Sequence, residues 1–145
     1  MRKLLLPVGA SEPGRLRTAV AAAVRIHRRE QVPVHVLCVQ PRVSSHVAMY
    51  FGPGELQQLQ LDAGQEDLLP VQALLDAAGV PYTTSVRVGR SAETIALAAQ
   101  ELGCDRIVLG EEEGGLAQKM FGSLAEQVRH IVHGMGAVHC QVIGS

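Results

Sequence analysis

Apolar runs of strand length alternate along this chain with longer stretches of helical period, and no other feature restricts its fold as much. Leu4 to Val8 (LLLPV), Val34 to Val39 (VHVLCV), Thr84 to Val88 (TSVRV), Arg106 to Leu109 (RIVL) and Ala137 to Ile143 (AVHCQVI) are too short for stable helices. Runs that are apolar at nearly every position suit strands covered on both faces, which is the condition of a parallel sheet. Parallel neighbours need a crossover, and the helical stretches supply it. The expectation is an α/β fold: a three-layer open sheet of five parallel strands with about four helices.

The helices can be placed from their apolar spacing and their ends. Leu16, Val20, Ala23 and Ile26 define the first, with Ser11 as a suitable N-cap and Pro13 in the permissive first turn. The second covers Glu55 to Ala78, with Leu56, Leu59, Leu68, Leu74 and Leu75 toward one side; Pro70 should break or kink it and Gly79 should end it. Ser91 is read as the cap of a third helix, whose Ile95, Ala98 and Leu102 point inward and which stops at Gly103. A fourth begins at Ser123, where Glu126 completes an S-x-x-E capping box and Leu124, Val128 and Ile131 share a face. Arg42 to Gly54 has no clear period and is read as a loop. Ligands of open parallel sheets gather beyond the carboxyl ends of the strands where strand order reverses, an edge that here holds Gly9, Val39, Gly89 and Gly110.

Composition narrows the function classes. The 145 residues suffice for one domain, 1–145, with one hydrophobic core. Thirteen Lys and Arg against fourteen Asp and Glu supply no electrostatic reason to bind nucleic acid or an anionic membrane. Cys38, Cys104 and Cys140 are odd in number and lack metal-ligand spacing, which favours plain thiols in a reducing compartment. MRKLLLPVG is too short in its apolar part for a signal peptide, and no segment has the apolar length of a membrane span, so a cytoplasmic protein is expected. Neither GxSxG nor a Walker A sequence occurs. His130 and His133 read as surface residues, His27 and His46 have no evident partner, and His139 and Cys140 fall on opposite faces of the last strand. Arg25, His27, Arg28 and Arg29 complement the dipole at the end of the first helix and need no ligand.

LLLPVGASEP, VHVLCVQP, VRVGRSAETI, DRIVLG and FGSLAEQV together resemble the universal stress protein family along essentially the whole chain. The resemblance implies a five-stranded fold of the adenine nucleotide alpha hydrolase-like kind and dimers formed through the last strand, here Ala137 to Ile143. Some members bind ATP and others lack nucleotide. The ATP-binding members carry a glycine, two residues, a second glycine, nine residues and a glycine followed by Ser or Thr, with an Asp after the first strand. Gly110 matches the first glycine, and Gly122 with Ser123 matches the final pair. Val39 stands where a family residue touches the nucleotide, and Pro7, Val8, Gly9 and Leu124 complete the candidate crevice. Three departures stand out: Glu113 replaces the second glycine, the loop is one residue shorter, and Gly9 occupies the Asp position. Gly115 or Gly114 could replace the missing glycine only along another backbone path.

The loop GEEEGGLAQKMFGS sets geometry against charge. A helix starting at Ser123 offers free N–H groups to an anion, although a Gly-Ser pair also serves as an ordinary cap. Glu111, Glu112 and Glu113 oppose it: at ~7 Å and an effective dielectric of ~20–40, each repels one phosphate charge by roughly 1–2 kcal/mol before salt screening. Three consecutive loop side chains rarely converge on one Mg²⁺, so no metal is expected, and pairing with Lys119 is the other way to relieve the repulsion. No cofactor is expected, and ATP is disfavoured by Gly9 and the three glutamates. The resulting expectation is a dimeric stress-response binding module that does not depend on ATP and is not an enzyme, with an unidentified regulatory protein as a further partner. The alternative is an ATP- or AMP-binding switch or weak ATPase using the Gly110 to Ser123 loop, and a third reading places a less phosphorylated or cationic ligand in the same crevice.

Overall fold

A computed structural model describes residues 3–9, 13–52, 54–110, 124–136 and 140–144. Strands β1 (Leu4–Val8), β2 (Val34–Gln40), β3 (Tyr82–Val88), β4 (Arg106–Leu109) and β5 (Gln141–Gly144) form one sheet in the order β3-β2-β1-β4-β5. All its ladders are parallel, so the expected fold class holds. Strand alternation divides the core in two. Leu4, Leu6, Val36 and Cys38 face the layer of helices α1 (Pro13–Glu30) and α3 (Glu55–Ala77). Leu5, Leu37, Val39 and Ile107 face α4 (Ser91–Leu102) and α5 (Leu124–Gly134). Every residue of β2 is buried, the polar His35 and Gln40 included, as a central strand covered on both faces requires.

Several expectations needed correction. The second long helix, α3, runs through Pro70 without a break. Pro70 is exposed, so the Glu66 carbonyl that loses its N–H partner lies on the wet side of the helix, where water can replace the bond. The buried stripe Gly64, Leu68, Val71 and Leu75 holds the helix across that gap. Leu59 is outside the stripe and 51% exposed, contrary to its assignment to the inner face. The stretch Arg42 to Gly54 contains a one-turn helix, α2 (Ser45–Ala48), because Ser44 Oγ accepts from the Val47 N–H at 3.2 Å and caps it. Ser91 is the first residue of α4 and not its cap; Arg90 holds that position in extended geometry with no side-chain bond. Gly103 ends α4 in the left-handed region at φ 70°, as expected.

At the strand ends, β3 begins at Tyr82, before the expected Thr84, and β5 occupies Gln141–Gly144, so Cys140 precedes it. Ala137 to His139, Ser11 and the Ser123 half of the capping box lie outside the described residues. His27 does have a partner: its Nδ1 donates to the Val32 carbonyl at 2.8 Å, which fixes the proton on Nδ1 because a carbonyl only accepts. His46 also has a neighbour, meeting the Tyr50 ring edge-on at 5.8 Å. His130 and His133 are exposed, as read. Arg28, in the basic end of α1, donates to the Ala78 carbonyl at 3.3 Å and so links the ends of α1 and α3. All three cysteines are free thiols, and burial raises each pKa, that of Cys104 to about 11, which leaves them poor nucleophiles. Among the described residues, no helix is long and apolar enough to cross a membrane.

Candidate functional site

The strand order reverses between β1 and β4, and there the sheet is least closed. The β1–β2 ladder continues to Val8↔Cys38, whereas the β1–β4 ladder consists of Leu4↔Arg106 and Leu5↔Ile107. Proline explains the difference. The Leu4 N–H donates to Pro33 and the Lys3 carbonyl accepts from Asp105, so even-numbered residues of β1 address β2 and odd-numbered ones address β4. Residue 7 would therefore send its N–H toward β4, and Pro7 has none.

The described candidate residues occupy this carboxyl edge but do not all face one space. Val8 packs into the α1–α3 cluster and can offer only backbone to a crevice on the other face. Gly9 lies against β2: a Cβ built on it would stand 3.6 Å from the Val39 carbonyl oxygen, an ordinary contact. Val39 belongs to the α4–α5 cluster with Leu109 and Ala125, and Leu124 packs against that cluster. Pro7 and Gly110, at the ends of β1 and β4, are partly buried. The fold thus joins Gly9 to Val39 and places Val39 and Leu124 in one cluster. Gly115, Gly122 and Ser123 lie outside the described residues, as do Glu111, Glu112, Glu113 and Lys119.

Polar residues absent from the sequence reading also sit at this edge. Gln40 ends β2 only 9% exposed, and its Nε2 donates to Asp67 Oδ2 at 2.8 Å and to Cys38 Sγ at 3.4 Å. This bond ties α3 to the carboxyl end of β2. A polar residue closing the run VHVLCVQ was a local signal, but its partner 27 residues away was not. Asp67 also brings a carboxylate to the edge, where its bonded partner is a neutral amide. Among the described residues, no group of three or more His, Cys, Asp or Glu is arranged to hold a metal ion.

The profile of the universal stress protein family matches residues 1–134. No curated protein matches significantly by sequence. Among solved structures, a universal stress protein in complex with cAMP superposes with a TM-score of 0.72 at 16% identity, covering 100% of this chain and 98% of its own. The Archaeoglobus fulgidus universal stress protein in complex with dAMP gives 0.65 at 18% identity over 99% and 97% of the two chains. A family protein from Arabidopsis thaliana with AMP bound gives 0.61 at 16% identity, covering 99% and 90%. At these identities the likeness is one of fold.

Proposed function

We propose that this chain, which belongs to the universal stress protein family, is a stress-response binding module whose carboxyl-edge crevice works without ATP. The observation that carries this reading is Gly9. The family places an Asp there, and a Cβ added to Gly9 would meet the Val39 carbonyl at 3.6 Å, an ordinary contact that does not bar a side chain at its first atom. A steric demand of the fold therefore does not account for the missing carboxylate. Glu113 at the position of the second glycine and the flanking Glu111 and Glu112 add charge repulsion at the phosphate end. The same carboxylates oppose the approach of a polyphosphate substrate, which favours a binding role over catalysis.

The module acts as a homodimer. β5 ends the sheet order, so its outer side offers strand hydrogen-bonding groups of the kind a second copy can pair with. A second reading keeps a nucleotide, favoured by the ladder that stops at Leu5↔Ile107 on the side where open sheets bind ligands.

Isothermal titration separates the two. The unmodified protein should give no saturable heat with ATP and Mg²⁺ at micromolar concentrations. Glu113→Gly should improve affinity about 5- to 30-fold, the equivalent of removing roughly 1–2 kcal/mol of repulsion, and Gly9→Asp should improve it further. Submicromolar ATP binding by the unmodified chain would overturn the proposal in favour of the nucleotide switch.

A further inference from the structure

β3 ends the sheet on the side away from β5, and none of its residues is buried. The Gly89 N–H donates to the Gln40 carbonyl, so in this parallel ladder Thr83, Ser85 and Arg87 turn their backbone groups toward β2. Tyr82, Thr84, Val86 and Val88 turn theirs outward, and among the described residues no strand lies beyond them. Soluble proteins usually blunt such an edge with proline, a bulge or free charge. YTTSVRV contains no proline, and its ladder runs from Val34↔Tyr82 to Gln40↔Val88 without a bulge. Its one charge, Arg87, is paired with Glu101 at 2.7 Å.

A second observation comes from α3, which packs on both β2 and β3. Leu61, Gln65, Leu69, Gln72 and Asp76 succeed one another at helical spacing and form one stripe, uncharged from Leu61 to Gln72. The Tyr82 hydroxyl donates to Asp76, which sets this stripe on the β3 side of the helix, whereas Leu74 and Ala78 pack into the core shared with α1. Leu61 is 41% exposed and Leu69 60%, so two large apolar side chains stand beside an open strand edge. Because Gly64 meets Val86, Gln65 stands level with the middle of β3.

We propose that this edge is an interface for a second copy of the chain, with the two β3 strands antiparallel about a twofold axis at Ser85. In that register Tyr82 opposes the partner's Val88 and Thr84 opposes the partner's Val86, which pairs the outward N–H and carbonyl groups. Arg87 opposes the partner's Thr83, so no like charges meet in the strand pair. The two α3 helices come to lie about two strand spacings apart, ~10 Å, a helix-packing distance. Leu61 and Leu69 are equally far from Gln65, so each meets the other across the axis and both are covered. One axis satisfies the strand and the helix together, and that symmetry selects a second copy over an unrelated peptide. Strand groups that leave water to pair gain little net free energy, which places the association at roughly 0.1–1 mM.

Sedimentation equilibrium from about 20 µM to about 1 mM is the test. The average mass of the parent should rise over that range. Thr84→Pro should hold it at the low-concentration value, because proline there removes an outward N–H and spares the ladder to β2. Leu69→Glu, on an exposed helix position, should weaken association at least about tenfold. Adding Leu61→Lys to Leu69→Glu should recover part of that loss, since positions 61 and 69 meet only across the axis. In Val142→Pro the rise should persist and stop at two copies. The proposal fails if the parent's mass is constant to about 1 mM, if Thr84→Pro and Leu69→Glu associate like the parent, or if the double variant recovers nothing. Each of these results leaves the reading of the carboxyl-edge crevice untouched.

Discussion

Gly64 is buried on α3 at the point where the helix lies against β3, and a Cβ on it would stand 2.4 Å from Val86 Cγ1 and 2.8 Å from Cγ2. Glycine in a helix interior costs about 1 kcal/mol relative to alanine, but the close approach leaves no room for the exchange. Gly64→Ala should therefore lose ~1–3 kcal/mol in urea unfolding. Val86→Ala in the same chain should restore part of that loss, and a Gly64→Ala protein as stable as the parent would show that the helix can retreat freely. His35 gives a prediction of a different kind. Its folded pKa is lowered from 6.5 by burial first and by Lys3 and Arg87 second, so below 6.5 the unfolded chain takes a proton that the folded one resists. Its contribution to stability is complete above 6.5 and is lost as pH falls, until the folded pKa is passed and the loss levels off. Urea midpoints between about pH 7.5 and 5 should fall more steeply for the parent than for His35→Gln; equal slopes would contradict the assignment. The spacing VHVLCV marked this position as strand, but nothing local marked Thr83 and Ser85 as its partners.

Helices and strands are joined at their ends by side chains whose pairing decides how each element docks. Arg106 opens β4 and Glu30 closes α1, and both guanidinium nitrogens donate to the two carboxylate oxygens. Their side chains are only 14% and 21% exposed, whereas the Arg90–Glu93 pair within the α4 start is 83% and 60% exposed. Glu30→Gln leaves a guanidinium without its counter-charge in a mostly dry position and should cost ~1–3 kcal/mol, largely retained in about 1 M salt. Glu93→Gln should change stability by less than about 0.5 kcal/mol at any salt concentration. Denaturant unfolding of both variants at two ionic strengths measures the contrast. At the end of α4, Gly103 holds φ 70°, so Gly103→Ala should lose about 1 kcal/mol through left-handed strain. That stop was legible because glycine after an apolar-periodic stretch is a local signal. Pro70 was legible only as an interruption: whether proline breaks a helix depends on which side faces water, and the packing of Leu68 and Val71 decided it.

For the whole molecule, the sheet order leaves β3 and β5 as edges, and the two edges differ. β3 carries Thr83, Ser85 and Arg87, with Arg87 paired to Glu101 of α4 at 2.7 Å, while β5 has Val142 buried among α4–α5 core residues. Pairing of two copies through β5 should give a dimeric mass in light scattering at micromolar protein, and Val142→Pro should shift it to monomer; a monomeric parent would refute the dimer. The kind of fold was readable from residue order, because runs that are apolar at nearly every position suit strands covered twice and each of the four expected helices shows an apolar face, both being properties of short segments. The rule for open parallel sheets likewise located the carboxyl edge as the candidate crevice, and the family resemblance matched residues to it. Packing alone decided which segments meet. Gln40 finds Asp67 27 residues on, His35 finds Thr83 and Ser85 48 and 50 residues on, and Glu30 finds Arg106 76 residues on. Periodicity records which side of an element avoids water, but not which neighbour covers it. Those pairings arise only when crossovers, register and the missing N–H of Pro7 set the strands beside one another.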